Sequence, residues 1–528
     1  MNYKIKEENY NENLINSNLS IFEKKVLATY DNKIINDYLL SSYQDIIFDN
    51  MNAVIDKINE HIKSNHKIVI IGDYDCDGIL GTSILVKAFA KIGIKVGYYI
   101  PNRLCDGYGL NKEMVQMFKD KDYQLIISVD NGIKAKPAIE YAYELGMDVI
   151  ISDHHHIDED DLCENTLYLH PTLSNIDYAI SGGLVAYYLA KSLINAEDNY
   201  LKTLAAITLL SDVMPIMKNN RLLIKECLLK DIYYPQILLL TKNKLSIMEL
   251  NNNVIPKINA IGRLADKINP NKLVQYFCTN NKEALLSFSK TIEKVNDYRK
   301  ELSNEYFNKY KNNVPKDNLI FIEDNTIHEG IIGLLATRLA HEKNCIVLIA
   351  SHNNGFYKAS IRSIKQINIY DIVIQLKHLL ENYGGHQQAM GITYKEENSN
   401  IFKKELALKL SQIIIEDDTY EVIELNKDEL TLTNAFNLAK LEPFGNNFSR
   451  PLFIIKNAQI IYINTLKSMI HHKIIIKLDN EQFELMLFNH ENISFDLNNN
   501  YDFIVEMSIN NFRNIDKLQL VIINYDLS

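Results

Sequence analysis

At 528 residues the chain is too long for one hydrophobic core and should divide into roughly two to four domains. A hydrophobic share of 47% and a charged share of 23% are those of a soluble globular protein, and a net charge of -11 excludes a global positive field that would advertise a nucleic-acid partner. A polyanion would have to be held by local basic patches and bound cations.

Residues 1–50 read as a polar lead-in without a motif; the opening MNYKIKEENYNEN lacks the apolar core of a signal peptide. From Met51, helical spacing sets Met51, Val54, Ile55, Ile58 and Ile62 along one stripe. KIVIIG follows as a short continuous apolar run, the pattern of a strand buried on both faces, and IKVGYYI, QLIISV and MDVIIS repeat it between helical or loop-like stretches. Strands alternating with helices predict a doubly wound parallel sheet, an α/β domain over residues 51–240. A polar, Asn-rich segment opens a largely helical connector over 241–312. NLIFIE, GIIGLLATRLAHE and CIVLIA form a second α/β pattern over 313–418. The runs PLFIIKNAQIIYI, HKIIIKL, FELMLF, YDFIVEMSI and LQLVIINY predict a small OB-like β-barrel over 436–528. No apolar run is long enough to span a bilayer. No membrane partner is therefore expected, and Cys76, Cys105, Cys163, Cys227, Cys278 and Cys345, which form no C-x-x-C pair, predict free thiols in a reducing compartment and so a cytoplasmic protein.

In an open parallel sheet, ligands bind beyond the carboxyl ends of the strands. KIVIIG runs into Asp73, Asp75 and Asp77, LIISV into Asp130, and VIIS into Asp153, His154, His155 and His156. That many carboxylates at one sheet edge repel one another unless cations lie between them. Carboxylates and imidazoles without a thiolate suit Mn²⁺ or Mg²⁺ better than structural zinc. Asp212 adds an acid at the end of the apolar stretch LAAITLLSD. Singly, each feature has a plainer explanation: a D-x-D after a strand is a solvated turn roughly four times in five, and a His pair is more often a surface feature. Their conjunction, in this order and at strand ends, is what points to a metal centre.

GDYDCDG, SVDNG, SDHHH and SDVMP resemble the four successive motifs of the DHH phosphoesterase superfamily. The resemblance implies that Asp75, Asp77, Asp130, His154 and Asp212 bind two divalent cations, with Asp130 bridging them and His155 facing the scissile phosphate. Cys76 replaces the usual Ala, Asn131 replaces a common Cys, and His156 is an additional His best read as solvent-facing. Ile71 stands where many superfamily pyrophosphatases carry His, as in RecJ-like members. PNRLCDGYGL, PKINAIGRL (with Lys257 for Arg), HEGIIGLLATRL, KASIRS, GGHQQAMG and LEPFGNNFSRPLF resemble, in the same chain order, further blocks of the RecJ-type exonucleases. The resemblance implies a DHH domain, a DHH-associated domain and an OB barrel. It also implies metal-dependent 5′-to-3′ hydrolysis of single-stranded DNA, a role in DNA repair and recombination, and a helicase or single-strand-binding protein as partner.

Physical chemistry adds a phosphate-handling set. Gly384 and Gly385 suit a backbone nest for an anion, with His386, Ser360, Arg362 and Ser363 as neighbours in the same domain. Arg103 and Arg263 offer forked, permanently charged donors for a terminal 5′ phosphate. His328 either positions a phosphate or caps a helix start. In the barrel, Lys467, Lys473, Tyr462 and Phe488 are candidates for holding a strand, although barrel cores need aromatics in any case. The alternatives are an oligonucleotide phosphodiesterase (nano-RNase) with the same metal cluster, an inactive DNA-binding scaffold and a pyrophosphatase. The retained carboxylates argue against the scaffold, and the additional blocks argue against the pyrophosphatase.

Overall fold

The computed structural model describes all residues except 40–45, 108, 159, 229–232, 244, 365–366, 414–418, 467–469, 491–492, 494 and 514, so Lys467 lies outside the described residues. The chain forms two compact units: Ile46–Asp212 with Cys227–Glu416, and Met1–Asp45 with Val213–Glu226 and Asp417–Ser528.

The larger unit holds two sheets. The first is wholly parallel, in the spatial order Gly97–Tyr99, Lys67–Gly72, Tyr123–Val129, Asp148–Ser152, Leu167–Leu169. Numbered along the chain, that order is 2-1-3-4-5, so the connection reverses direction between its first and third strands. Ile68, Val69, Ile70 and Ile71 are all buried, because helices cover both faces of the strand. Met51–Lys63 is the expected helix, and its stripe buries Val54 and Ile58. The three-residue strand Leu167–Leu169 is too short for a periodic signal, and the sequence alone did not suggest it.

The helical connector comprises Ile255–Arg263, Asn271–Cys278 and the 29-residue helix Lys282–Tyr310. The second sheet is mixed, in the order Asn382–His386, Ala389–Lys395, Phe356–Arg362, Ile346–Asn353, Leu319–Glu323. Only its last pair is parallel.

In the smaller unit, Leu452–Thr465, His471–Leu478, Glu481–Phe488, Ile515–Leu527 and Asn500–Phe512 form a five-stranded barrel, closed by pairing of Leu452–Thr465 with Asn500–Phe512. This closed five-strand barrel fits an OB fold. The opening residues are folded rather than a mere lead-in. Tyr3–Ile5 pairs in parallel with Tyr420–Glu424, which in turn joins the barrel strand Leu452–Thr465. Helix Ile21–Ala28 starts at a capping box of Ser20 and Glu23 and stacks Phe22 on Phe453. Both elements are short and find their partners some 400 residues away, which a local pattern cannot reveal. Among the described residues, no helix is long and apolar enough to cross a membrane, and the six cysteines are free.

Candidate active site

The acids converge at the reversal point of the parallel sheet. Strand Lys67–Gly72 delivers Asp73, and Asp75 then caps helix Cys76–Lys91 by accepting from the Gly78 amide at 3.1 Å. Asp77, in the first turn and 1% exposed, accepts from the amides of Gly182 and Gly183, each at 2.8 Å, at the start of helix Gly182–Ile194. Strand Tyr123–Val129 delivers Asp130, whose φ of 61° turns the chain sharply there. Asn131, which stands in place of the common Cys, donates to the carbonyls of Val129 (2.8 Å) and Ile71 (3.3 Å), tying the two strands together at the reversal. Asp212 follows the apolar helix Asn199–Ser211 as its C-cap residue.

The third loop is organised by Asp153, which is fully buried. It accepts from the amides of Ile133 (2.9 Å) and His154 (2.7 Å) and from Nδ1 of His155 (2.8 Å). His170 bonds the carbonyl of His155 at 2.8 Å and holds the loop from behind. His154 Nε2 lies 3.0 Å from Asp130, 3.4 Å from Asp212 and 3.8 Å from Asp77.

Donor atoms of Asp77, His154 and Asp212 lie within 4.8 Å of one another, as do those of Asp73, Asp75 and Asp130. Asp130 also approaches the first group through His154, so it sits between two constellations. Burial and then the neighbouring carboxylates push Asp73, Asp77 and Asp130 well above the usual carboxylate range and Asp212 up to about 7. Burial, reinforced by His155, lowers His154 to about 4, which keeps its imidazole neutral and able to donate a lone pair. Burial opposes charge on Asp153 and His155 alike. Their mutual bond overcomes it, holding Asp153 at about 2 and raising His155 to about 9. Hard carboxylate oxygens around one neutral imidazole are a donor set that fits Mn²⁺ or Mg²⁺.

A second cluster adjoins the acids. Arg263 is held down at about 10 by burial and by Arg103, Arg299 and Arg362, with Asp75 partly offsetting them. Arg103 lies over the ring of Tyr74, 5.2 Å from its centroid. Arg362 is steered by Ser360 (2.8 Å) and Thr337 (3.1 Å). Guanidinium groups crowded this way make a strong anion site. Arg299 was not singled out from the sequence: it lies inside a long helix with no motif around it.

A groove of about 1180 Å³ runs from Asp153, His155 and His156 to Tyr383, Gly384, Gly385 and His386. Gly385 has a φ of 142°, and a Cβ there would collide with the Ala389 carbonyl. His156 is 81% exposed. Ser363 points its hydroxyl at the Ile367 carbonyl (2.9 Å) rather than into the groove. His328 caps the turn Glu329–Ile331 through Gly330 (3.0 Å) and meets Asp266 at 3.1 Å, so the capping role is realised. In the barrel Lys473 is paired with Glu484 and Phe488 meets His471 edge-on, whereas Tyr462 is 59% exposed.

Residues 67–211 match the model of the DHH family N-terminal domain, 316–412 that of the DHHA1 domain, and 423–524 that of the RecJ OB domain. The single-stranded-DNA-specific exonuclease RecJ of Bacillus subtilis is 28% identical over 496 residues, covering 89% of this chain but 63% of its own length. The structure of RecJ from Thermus thermophilus in complex with Mn²⁺ superposes with a TM-score of 0.81 at 22% identity, over 92% of this chain and 72% of that one. A manganese-bound exonuclease RecJ superposes with a TM-score of 0.62 at 25% identity, over 70% of this chain and 96% of that one.

Proposed function

The chain belongs to the RecJ branch of the DHH family, and from that premise we propose that it is a metal-dependent exonuclease removing nucleotides from the 5′ end of single-stranded DNA. The observation that carries the proposal is the adjacency, in one unit, of a carboxylate–imidazole cluster and a cluster of arginines. The first suits cations and the second a phosphate, so together they suit a strand end next to a scissile bond. Asp73, Asp75 and Asp130 would hold one divalent cation, and Asp77, Asp130, His154 and Asp212 would hold the other. Asp73 takes up the role that Ile71 cannot fill. Bound Mn²⁺ or Mg²⁺ supplies water activation and charge neutralisation on the attacked and departing oxygens.

The remaining steps belong to the protein. His155, kept protonated by Asp153, faces the groove and donates to the scissile phosphate. Gly384, Gly385 and His386 cradle the next phosphate along the groove. Arg103, Arg263 and Arg362 grip the terminal 5′ phosphate, with Ser360 steering Arg362. The barrel holds the strand further from its end. The proposal extends to a cytoplasmic place in DNA repair and recombination, alongside a helicase or single-strand-binding protein.

The test is digestion of oligonucleotides labelled at the 5′ or 3′ end, single- and double-stranded, with Mn²⁺, Mg²⁺ or a chelator. Metal-dependent release of 5′-terminal mononucleotides from single strands alone is expected. Comparable rates on long strands and on di- or trinucleotides would instead favour the oligonucleotide phosphodiesterase.

A further inference from the structure

Asn259 is not one of the candidate metal ligands, yet its side chain reaches the segment that carries them. It lies in helix Ile255–Arg263, and its Oδ1 accepts from the Cys76 amide at 2.8 Å. Cys76 stands between Asp75 and Asp77 at the first position of helix Cys76–Lys91, where an amide has no partner within its own helix. One turn on, Gly262 packs against the same segment: a Cβ there would collide with the Tyr74 carbonyl oxygen. The next residue, Arg263, belongs to the arginine cluster, and Arg103 of that cluster lies over the Tyr74 ring. The helix is fixed at depth by Lys257, 2% exposed, which donates to the Leu240 carbonyl (2.8 Å) and pairs with Glu293. One rigid helix therefore clasps the Tyr74–Cys76 backbone and carries an arginine of the phosphate cluster.

We propose that Asn259 is a positioning residue for the metal centre: its bond to Cys76 sets the spacing of Asp75 and Asp77 and couples that spacing to the arginine cluster through helix Ile255–Arg263. The proposal rests on the metal-dependent reading above. Without the bond, the Cys76 amide seeks another acceptor and the acid-bearing loop samples other conformations. An outer-sphere partner of this kind is worth about 10- to 100-fold in metal affinity.

The test compares Asn259→Ala with Asn259→Asp, which keeps an oxygen at the Oδ1 position, in the full chain. Three quantities are read: Mn²⁺ affinity by calorimetry, hydrogen exchange of the 73–78 amides in metal-free protein, and kcat and KM on a 5′-phosphorylated single strand. Asn259→Ala should weaken Mn²⁺ at least tenfold, speed exchange at 73–78 and lower kcat with KM nearly unchanged. Asn259→Asp should recover most of each. If Asn259→Ala is not folded by circular dichroism, Asn259→Ser, with a shorter acceptor, takes its place. Wild-type Mn²⁺ affinity or unchanged exchange in the folded variant overturns the proposal. A wild-type protein that binds Mn²⁺ and cleaves no DNA overturns the nuclease reading instead, while the exchange and affinity comparison still decides the role of Asn259.

Discussion

Asp130 is where the chain's electrostatics and backbone geometry coincide. It is 2% exposed, faces acids on both sides and holds a φ of 61°. Asn is the substitution that isolates the charge, because Asn tolerates this conformation and matches the shape of Asp. Asp130→Asn should therefore fold, with a metal-free melting temperature equal to or above wild type, since one of several crowded carboxylates is gone. Hydrolysis should fall by more than roughly a hundredfold, exceeding the loss expected for an outer-sphere partner. Assay and thermal melt together check this, and near-normal turnover in the folded variant would refute a shared carboxylate. Arg103 allows a separate test of end recognition. A hydrogen bond to a charged group contributes roughly 1.5–3 kcal/mol, so Arg103→Ala should cut the advantage of 5′-phosphorylated over 5′-hydroxyl strands by about tenfold or more. An unchanged ratio would remove Arg103 from that role. At this scale the sequence was most informative where acids and imidazoles follow apolar strands. It was silent on Arg299, and it marked Asp153 only as one of the strand-end acids, without its task of orienting His155 and holding the loop.

Elements matter here because of how closely they approach. The N-terminus of helix Gly182–Ile194 must come within hydrogen-bond reach of Asp77 and also pass Asp130, and only glycine leaves room for both. A Cβ at Gly182 would lie 2.6 Å from that of Asp130, and one at Gly183 would lie 2.8 Å from Asp77 Oδ1. Gly183→Ala should thus destabilise the fold by about 1–3 kcal/mol through overpacking, and should also weaken Mn²⁺ binding by displacing Asp77. Denaturant unfolding and metal titration read the two effects separately; a loss of stability with unchanged Mn²⁺ affinity would mean that the helix does not orient Asp77. The sequence S-G-G-L precedes an apolar run, but nothing in it indicates what the glycines avoid. The continuous apolar runs, by contrast, marked four strands of the parallel sheet, since a strand buried on both faces must be apolar throughout, and the barrel strands stood out as close-spaced β-like runs. Phe356–Arg362, Asn382–His386 and Ala389–Lys395 of the second sheet gave no such run. Short elements carry no such periodicity, whether their partners are distant, as for Tyr3–Ile5 and Ile21–Ala28, or near, as for the three-residue strand Leu167–Leu169.

On the scale of the whole molecule, chain order and compact unit diverge, and this decides how the barrel can be tested. Cutting the chain near Asn434 would spare every acid and arginine of the proposed site. It would also strip Tyr3–Ile5, helix Ile21–Ala28 and residues 213–226 of the core they share with the barrel, exposing Phe22, Val26 and Leu27. Any loss of activity could then reflect aggregation rather than a lost grip on DNA. Surface substitutions avoid the difficulty. Tyr462 and Phe512, 59% and 65% exposed, stand on strands that pair with one another at the barrel closure, and neither contributes to its core. Base stacking on an aromatic side chain is worth about 1–3 kcal/mol per base. The double substitution Tyr462→Ala with Phe512→Ala should accordingly raise KM for long single strands by about tenfold or more, with kcat, melting temperature and hydrolysis of very short oligonucleotides unchanged. Measuring both substrates at one fixed salt concentration is essential, because backbone contacts alone shift affinity with ionic strength. An unaltered KM on long strands would mean that these two aromatics do not carry the strand, and equal losses on both substrates would mean that the effect arises at the catalytic cleft.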